Sequence, residues 1–132
     1  MQIPDLRDPH SLALITDAMA LMGRLCLGVL FVAGAVQKAI APEVAQDMLI
    51  AQSWPGILVW PALIFNGVAA VCLIFGAWLG LVALLLALYC MGTSIFHHIP
   101  DDPWQMSIFV KNWAIAGGLL ILCSTELRHP RG

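Results

Sequence analysis

Charged side chains are scarce in this sequence. Only 11% of its 132 residues are Asp, Glu, Lys or Arg, whereas soluble domains carry about a quarter, and 61% are hydrophobic. A water-soluble protein needs more polar residues than this to cover its surface. The composition therefore predicts a chain that lies in a lipid bilayer.

Basic clusters and catalytic motifs are missing as well. The six Lys and Arg residues stand singly, so no basic patch is available for phosphates, and nucleic acid is excluded as a partner. The sequence contains no phosphate-binding loop of the GxxxxGKS type, no GxSxG elbow and no paired-carboxylate site. We therefore expect no covalent chemistry from this chain alone.

Cysteine pairs with metal or redox spacing are also missing. The four cysteines, Cys26, Cys72, Cys90 and Cys123, fall one in each apolar segment, and none forms a CxxC pair. We interpret them as small buried hydrophobic residues. A thiol site is the alternative, since Cys26, Cys72 and Cys123 are expected at similar depth.

Long apolar runs are what the sequence contains instead. A helix needs about twenty residues to cross a hydrocarbon core of about 30 Å. Four windows meet this requirement, at residues 21–40, 57–77, 79–96 and 108–125. The fold class predicted for residues 1–132 is all-α, as one integral membrane domain with a four-helix bundle.

The connections between these windows differ in character. After the first window, Val44, Met48 and Ala51 recur on one face behind Pro42, which predicts a short interfacial helix between spans 1 and 2. The segment GAWLG allows only a tight hairpin, and the polar, proline-broken HHIPDDPWQ indicates a loop.

The basic residues are divided unequally between the two membrane faces. An even number of spans places both termini on one side, and Lys38 and Lys111 fall on the other. The side of the termini carries Arg7, Arg24, Arg128 and Arg131. Because Lys and Arg are enriched on the cytoplasmic side, we predict cytoplasmic termini.

Polar side chains gather at the bundle end opposite the termini. This polar end comprises Lys38, His97, His98, Asp101, Asp102, Gln105, Lys111 and Asn112. Lys111 and Asn112 are expected at a helix start, where free backbone N–H groups favour an anion or a carbonyl oxygen. Two interpretations stay open, a solvated rim whose lysines reach the headgroups and a ligand site.

The paired histidines allow fewer roles. His97 and His98 are adjacent at one helix end, so they cannot hold a haem between two facing helices. They are interpreted as interfacial histidines, with metal binding beside Asp101 or Asp102 as the alternative.

Residue spacing predicts which helix faces meet protein. Arg24, Gly28, Phe31, Ala35 and Lys38 share one face of the first span, where the small residues permit close helix approach. That face is expected to pack against protein.

The same reasoning extends to the second and fourth spans. Lys111, Ala114 and Gly118 share a face with Gly117 beside it, so Lys111 is predicted to point inward. Asn66 lies near the middle of the second span and needs a partner, which is either another helix or a ligand.

These residues resemble the DoxX family of four-helix bacterial membrane proteins. The resemblance covers residues 23–122 and is carried by GRLCLGVLFVAGAVQKAI, the His after the third span and FVKNWAIAGGLLIL. The positions typical of the family are Arg24, Gly28, Gly34, Lys38, His97, Lys111, Asn112, Gly117 and Gly118. One departure is Asn66, where many relatives have an acidic residue.

The resemblance implies a role beside a redox enzyme. It suggests a multi-pass subunit of the bacterial inner membrane that anchors or assists an oxidoreductase, or assembles with itself, and that is not catalytic alone. A quinone is the implied cofactor, with Lys38, His97, Lys111 and Asn112 as its expected contacts. The alternatives are a ligand-free assembly or stress protein and a small-solute transporter.

Overall fold

The computed structural model describes residues 7–130, and Arg131 of the charge comparison lies outside them. The described chain is all-α. It contains α1 (Pro9–Ile40), α2 (Pro42–Ala51), α3 (Val59–Phe75), α4 (Leu79–Thr93) and α5 (Pro103–Arg128), with short 3-10 turns at Gly56–Leu58 and Ser94–His97. The short helix expected between the first two spans is confirmed as α2.

Four helical segments are long and apolar enough to cross a membrane, namely Pro9–Ile40, Gly56–Phe75, Leu79–His97 and Pro103–Arg128. Helices satisfy every backbone hydrogen bond internally, which lipid requires. Large apolar side chains such as Val29 and Ile121 lie mostly exposed on the outer surface, where lipid would cover them. The chain is therefore a four-helix membrane bundle, as predicted.

Helices α1 and α5 each begin earlier than expected, directly after an Asp residue that is followed by Pro. The Asp8 carboxylate accepts hydrogen bonds from the N–H groups of His10 and Ser11, and Pro9 takes the first helical position. Asp102 caps α5 in the same way, so the expected loop ends at Asp102. The prediction that Lys111 and Asn112 begin a helix is wrong, because they lie in its third turn.

The hairpin between α3 and α4 is as tight as the sequence predicted. Gly76 adopts a left-handed φ of 80°, and Trp78 a φ of 48°. A Cβ on Gly76 would lie 2.5 Å from Nη1 of Arg24, so the Arg24 guanidinium packs on the C-terminal end of α3. A cation is favourable there because the helix dipole is negative at this end.

The α1 face predicted to meet protein does pack on α3. Gly28 and Phe31 are buried, and a Cβ on Gly28 would lie 2.6 Å from Cγ1 of Ile74. The corresponding prediction for α5 is wrong. Gly117 and Gly118 are exposed with no atom within 4 Å of an added Cβ, because α5 faces α4 through Ala116, Leu119 and Cys123.

The helices leave space at one end of the bundle. The main core lies along α4, where Ala83, Leu86 and Ala87 are fully buried. Helix α1 packs mainly against α3, and α5 packs mainly against α4. At the polar end the space between these two pairs is covered by α2.

Candidate functional site

A cavity of about 750 Å³ lies at this end and is lined by all five helices. Its volume is in the range of about 300–1,000 Å³ that is usual for small-molecule sites. Most of the lining is apolar. The polar side chains in the lining include Lys38, Asn66, Tyr89, His97, Gln105 and Asn112.

Asn66 and Tyr89 form the buried polar pair of the cavity. The Asn66 side chain is 2% exposed, and its Nδ2 donates to the Tyr89 hydroxyl oxygen at 3.4 Å. This bond uses an oxygen lone pair, so the hydroxyl hydrogen of Tyr89 stays available to donate. The Oδ1 of Asn66 is buried without a hydrogen-bond partner, and such groups usually have one.

Lys38 lies beside this pair. Its Nζ donates to the Gly34 carbonyl oxygen, one turn back in α1, at 3.2 Å. The Lys38 Nζ and the Asn66 Nδ2 both lie within 4 Å of the position that a Cβ on Gly34 would occupy. The missing side chain of Gly34 therefore leaves room where these two nitrogens meet the cavity.

A second polar pair joins the end of α4 to the start of α5. Nδ1 of His97 and Oε1 of Gln105 are 2.7 Å apart. An amide oxygen only accepts, so a hydrogen bond between these two atoms requires the proton to be on Nδ1 of His97. Trp54 packs edge-on against Phe96 with ring centroids 6.3 Å apart, and both rings line the cavity.

Lys111 takes no part in the cavity, and its predicted inward orientation is wrong. Its side chain is exposed, and Nζ lies 5.5 Å from the centroid of the Trp104 ring, a cation–π contact. Asn112, the next residue, lines the cavity instead. His98 packs against Phe109 and not against the cavity wall.

The structure thus brings together three of the four expected ligand residues, Lys38, His97 and Asn112. Sequence reasoning missed Tyr89 as a site residue. The signal was present, because Tyr89 is the chain's single tyrosine and lies in an apolar span. A hydroxyl at that depth needs a partner for the same reason as the Asn66 amide does.

The histidines and cysteines build no metal cage in residues 7–130. There, no three His, Cys, Asp or Glu side chains lie close enough together to share an ion. The four cysteines are unpaired. Cys90 and Cys123 are buried as expected, Cys72 is half-buried, and Cys26 is exposed on α1 because its side of the helix turns away from α3.

Fold and cavity together define a multi-pass α-helical membrane protein with a ligand-sized, partly open cavity at one end of the bundle. The DoxX family model matches residues 19–99, more than half of the chain, and the protein belongs to the DoxX family. The match includes Lys38, Asn66, Tyr89 and His97, and it ends before α5. No curated protein and no solved structure matches the chain.

Proposed function

We propose that this DoxX-family protein is an accessory subunit of a membrane oxidoreductase and that its cavity holds a quinone. The observation that carries the proposal is a cavity of ligand size inside a membrane bundle, with Lys38, Asn66 and Tyr89 converging on one part of an apolar wall. Apolar walls with a few placed polar groups are typical of small-molecule sites.

A quinone suits this mixture of groups. Its ring and tail are apolar, and its carbonyl oxygens accept hydrogen bonds. The Lys38 ammonium and the Tyr89 hydroxyl are donors, and they favour the reduced forms, which carry more negative charge on oxygen. The unpaired Oδ1 of Asn66 would gain a donor if a quinol hydroxyl approached it.

The electrons would come from a partner. This chain supplies a binding site and hydrogen-bond donors, while an oxidoreductase docked on the bundle would reduce or oxidise the quinone. The proposed setting is the bacterial inner membrane with both termini in the cytoplasm, supported by the excess of Arg residues on that side.

Binding is tested directly on the purified protein in mild detergent. Trp54 and Trp104 line the cavity, so decylubiquinone bound there should quench part of the tryptophan fluorescence with a saturating dependence. Tyr89→Phe should weaken binding severalfold through loss of one hydrogen bond, worth about 1 kcal/mol. Linear, non-saturating quenching in the native protein would contradict the proposed quinone site.

The matched control is Lys111→Met. It removes a lysine at the same end of the bundle that lies outside the cavity, so quinone affinity should stay unchanged. An effect of Lys111→Met as large as that of Tyr89→Phe would mean that the ligand lies on the outer surface of α5.

The accessory role is tested by isolating the tagged protein from its native membrane in mild detergent and identifying co-purifying chains by mass spectrometry. Redox subunits in stoichiometric amounts support the proposal. A lone chain or a homo-oligomer, together with normal quinone-linked respiration in a deletion strain, would contradict it.

A further inference from the structure

The cavity has an unbalanced charge. Among its described lining residues Lys38 is the one Lys or Arg, and none is Asp or Glu. We propose that Lys38 makes the cavity selective for acidic lipid-soluble rings bound as anions, such as hydroxynaphthoquinones, over neutral quinones. This proposal rests on the proposed function of quinone binding.

The nearby acids are engaged elsewhere or point away. Glu43 and Asp47 of α2 are exposed and do not line the cavity, and the same holds for Asp101. The Asp102 carboxylate accepts from the backbone of α5. The hydrogen-bond partner of Lys38 is a neutral carbonyl of its own helix, so this bond does not neutralise the ammonium.

A charge in this position favours an anionic ligand. An ammonium at membrane depth is poorly solvated, and an opposite charge close to it is attracted more strongly than in water. A neutral quinone gains only a hydrogen bond from Lys38. A ring with an ionised hydroxyl beside its carbonyl gains the charge interaction as well.

The neighbouring polar groups keep this selectivity intact. Asn66 and Tyr89 are neutral side chains, so they can bond to ring oxygens without cancelling the Lys38 charge. The apolar lining of the cavity includes Leu30, Phe31 and Val59, which suit an apolar ring. The proposed ligand class is therefore an apolar ring that carries one ionised oxygen.

The test compares two naphthoquinones of similar size on the purified full-length protein at neutral pH. Lawsone carries an acidic hydroxyl and is an anion, whereas menadione has a methyl group and is neutral. By tryptophan quenching, lawsone should bind the native protein about tenfold more tightly than menadione, equivalent to about 1.4 kcal/mol. Equal affinities would overturn the inference while leaving the proposed quinone site in place.

Two variants probe the charge independently. Lys38→Met removes it, and Asn66→Asp places a counter-charge beside it, so each should bring the lawsone-to-menadione ratio close to one while menadione still binds. Lys111→Met should keep the native ratio. A ratio unchanged in both Lys38→Met and Asn66→Asp would overturn the assignment to Lys38.

Competition by laurate distinguishes a ring ligand from a lipid carboxylate. Laurate carries a full negative charge on an apolar chain but has no ring. Competition by laurate as strong as that of lawsone, and lost in Lys38→Met, would overturn the ring class in favour of a lipid carboxylate. If neither naphthoquinone nor decylubiquinone binds, the proposed quinone site itself fails.

Discussion

Replacing two glycines by alanine tests the packing of the bundle most directly. The first is Gly28, where the added Cβ would lie 2.6 Å from Cγ1 of Ile74 and 3.6 Å from the carbonyl oxygen of Ala70. Carbon atoms in contact prefer about 3.5–4.0 Å, so Ile74 or the α1–α3 distance must shift by about 1 Å. The second is Gly118, where nothing lies within 4 Å of the new atom.

Comparing Gly28→Ala with Gly118→Ala isolates the energy of packing at Gly28. Both glycines lie inside helices, so the gain in helix propensity from alanine, up to about 1 kcal/mol, is shared by Gly28→Ala and Gly118→Ala. Overpacking of a filled contact costs about 1–3 kcal/mol. Gly28→Ala should therefore be less stable than Gly118→Ala by about 1–3 kcal/mol, with the native protein at or below the stability of Gly118→Ala.

Thermal unfolding in mild detergent, followed by far-UV circular dichroism, measures this order. Leu84→Phe is a useful reference, because Leu84 is 38% exposed on α4 and should accept a larger side chain mildly. The reasoning fails if Gly118→Ala is as unstable as Gly28→Ala. That result would show that the Gly118 face of α5 packs against protein in the detergent-solubilised state.

Further substitutions probe the cavity, the cap of α5 and the membrane topology. Gly34→Leu should fill the space beside Lys38 and abolish quinone quenching in a folded protein, whereas Gly67→Leu, which has open space around it, should keep quenching. Asp102→Ala should lower the free energy of unfolding by about 1 kcal/mol, measured by circular dichroism, because two backbone N–H groups of α5 lose their cap. In intact cells, a cysteine replacing Asp101 should react with an impermeant maleimide, and one replacing Ala77 should react only after permeabilisation. The reverse labelling pattern would invert the predicted topology.

The number of spans and the membrane class follow from the sequence alone. Four apolar windows are long enough to span the membrane, and the chain has too few polar residues to cover a soluble surface. The windows form helices, because a helix satisfies its own backbone hydrogen bonds in lipid. The sequence also predicts the close helix approach at Gly28. Small residues on the same face as Arg24 and Phe31 indicate contact with another helix and not with lipid. The sequence also indicates where a ligand site would lie, because Lys38, Asn66 and His97 are polar residues within or at the end of apolar spans.

The orientation of α5 was decided by the tertiary structure. In lipid, outward and inward faces are both apolar, so a membrane helix lacks the polar face that orients a soluble one. The sequence therefore could not tell that Asn112 lines the cavity, whereas Lys111 does not line it and lies over the ring of Trp104. Asp102 lies outside the apolar window at residues 108–125, so hydrophobicity alone does not show that α5 begins just after it.

The cavity itself is a property of helix arrangement. Tyr89 meets Asn66 across 23 residues of sequence, and Gln105 meets His97 across the α4–α5 loop. The sequence places Asn66 and Tyr89 inside apolar spans, where they need partners, and His97 and Gln105 at the polar end. Which partners they find, and the space left between them, depend on how α1 and α5 pack on α3 and α4, since side-chain volumes across helices set those distances.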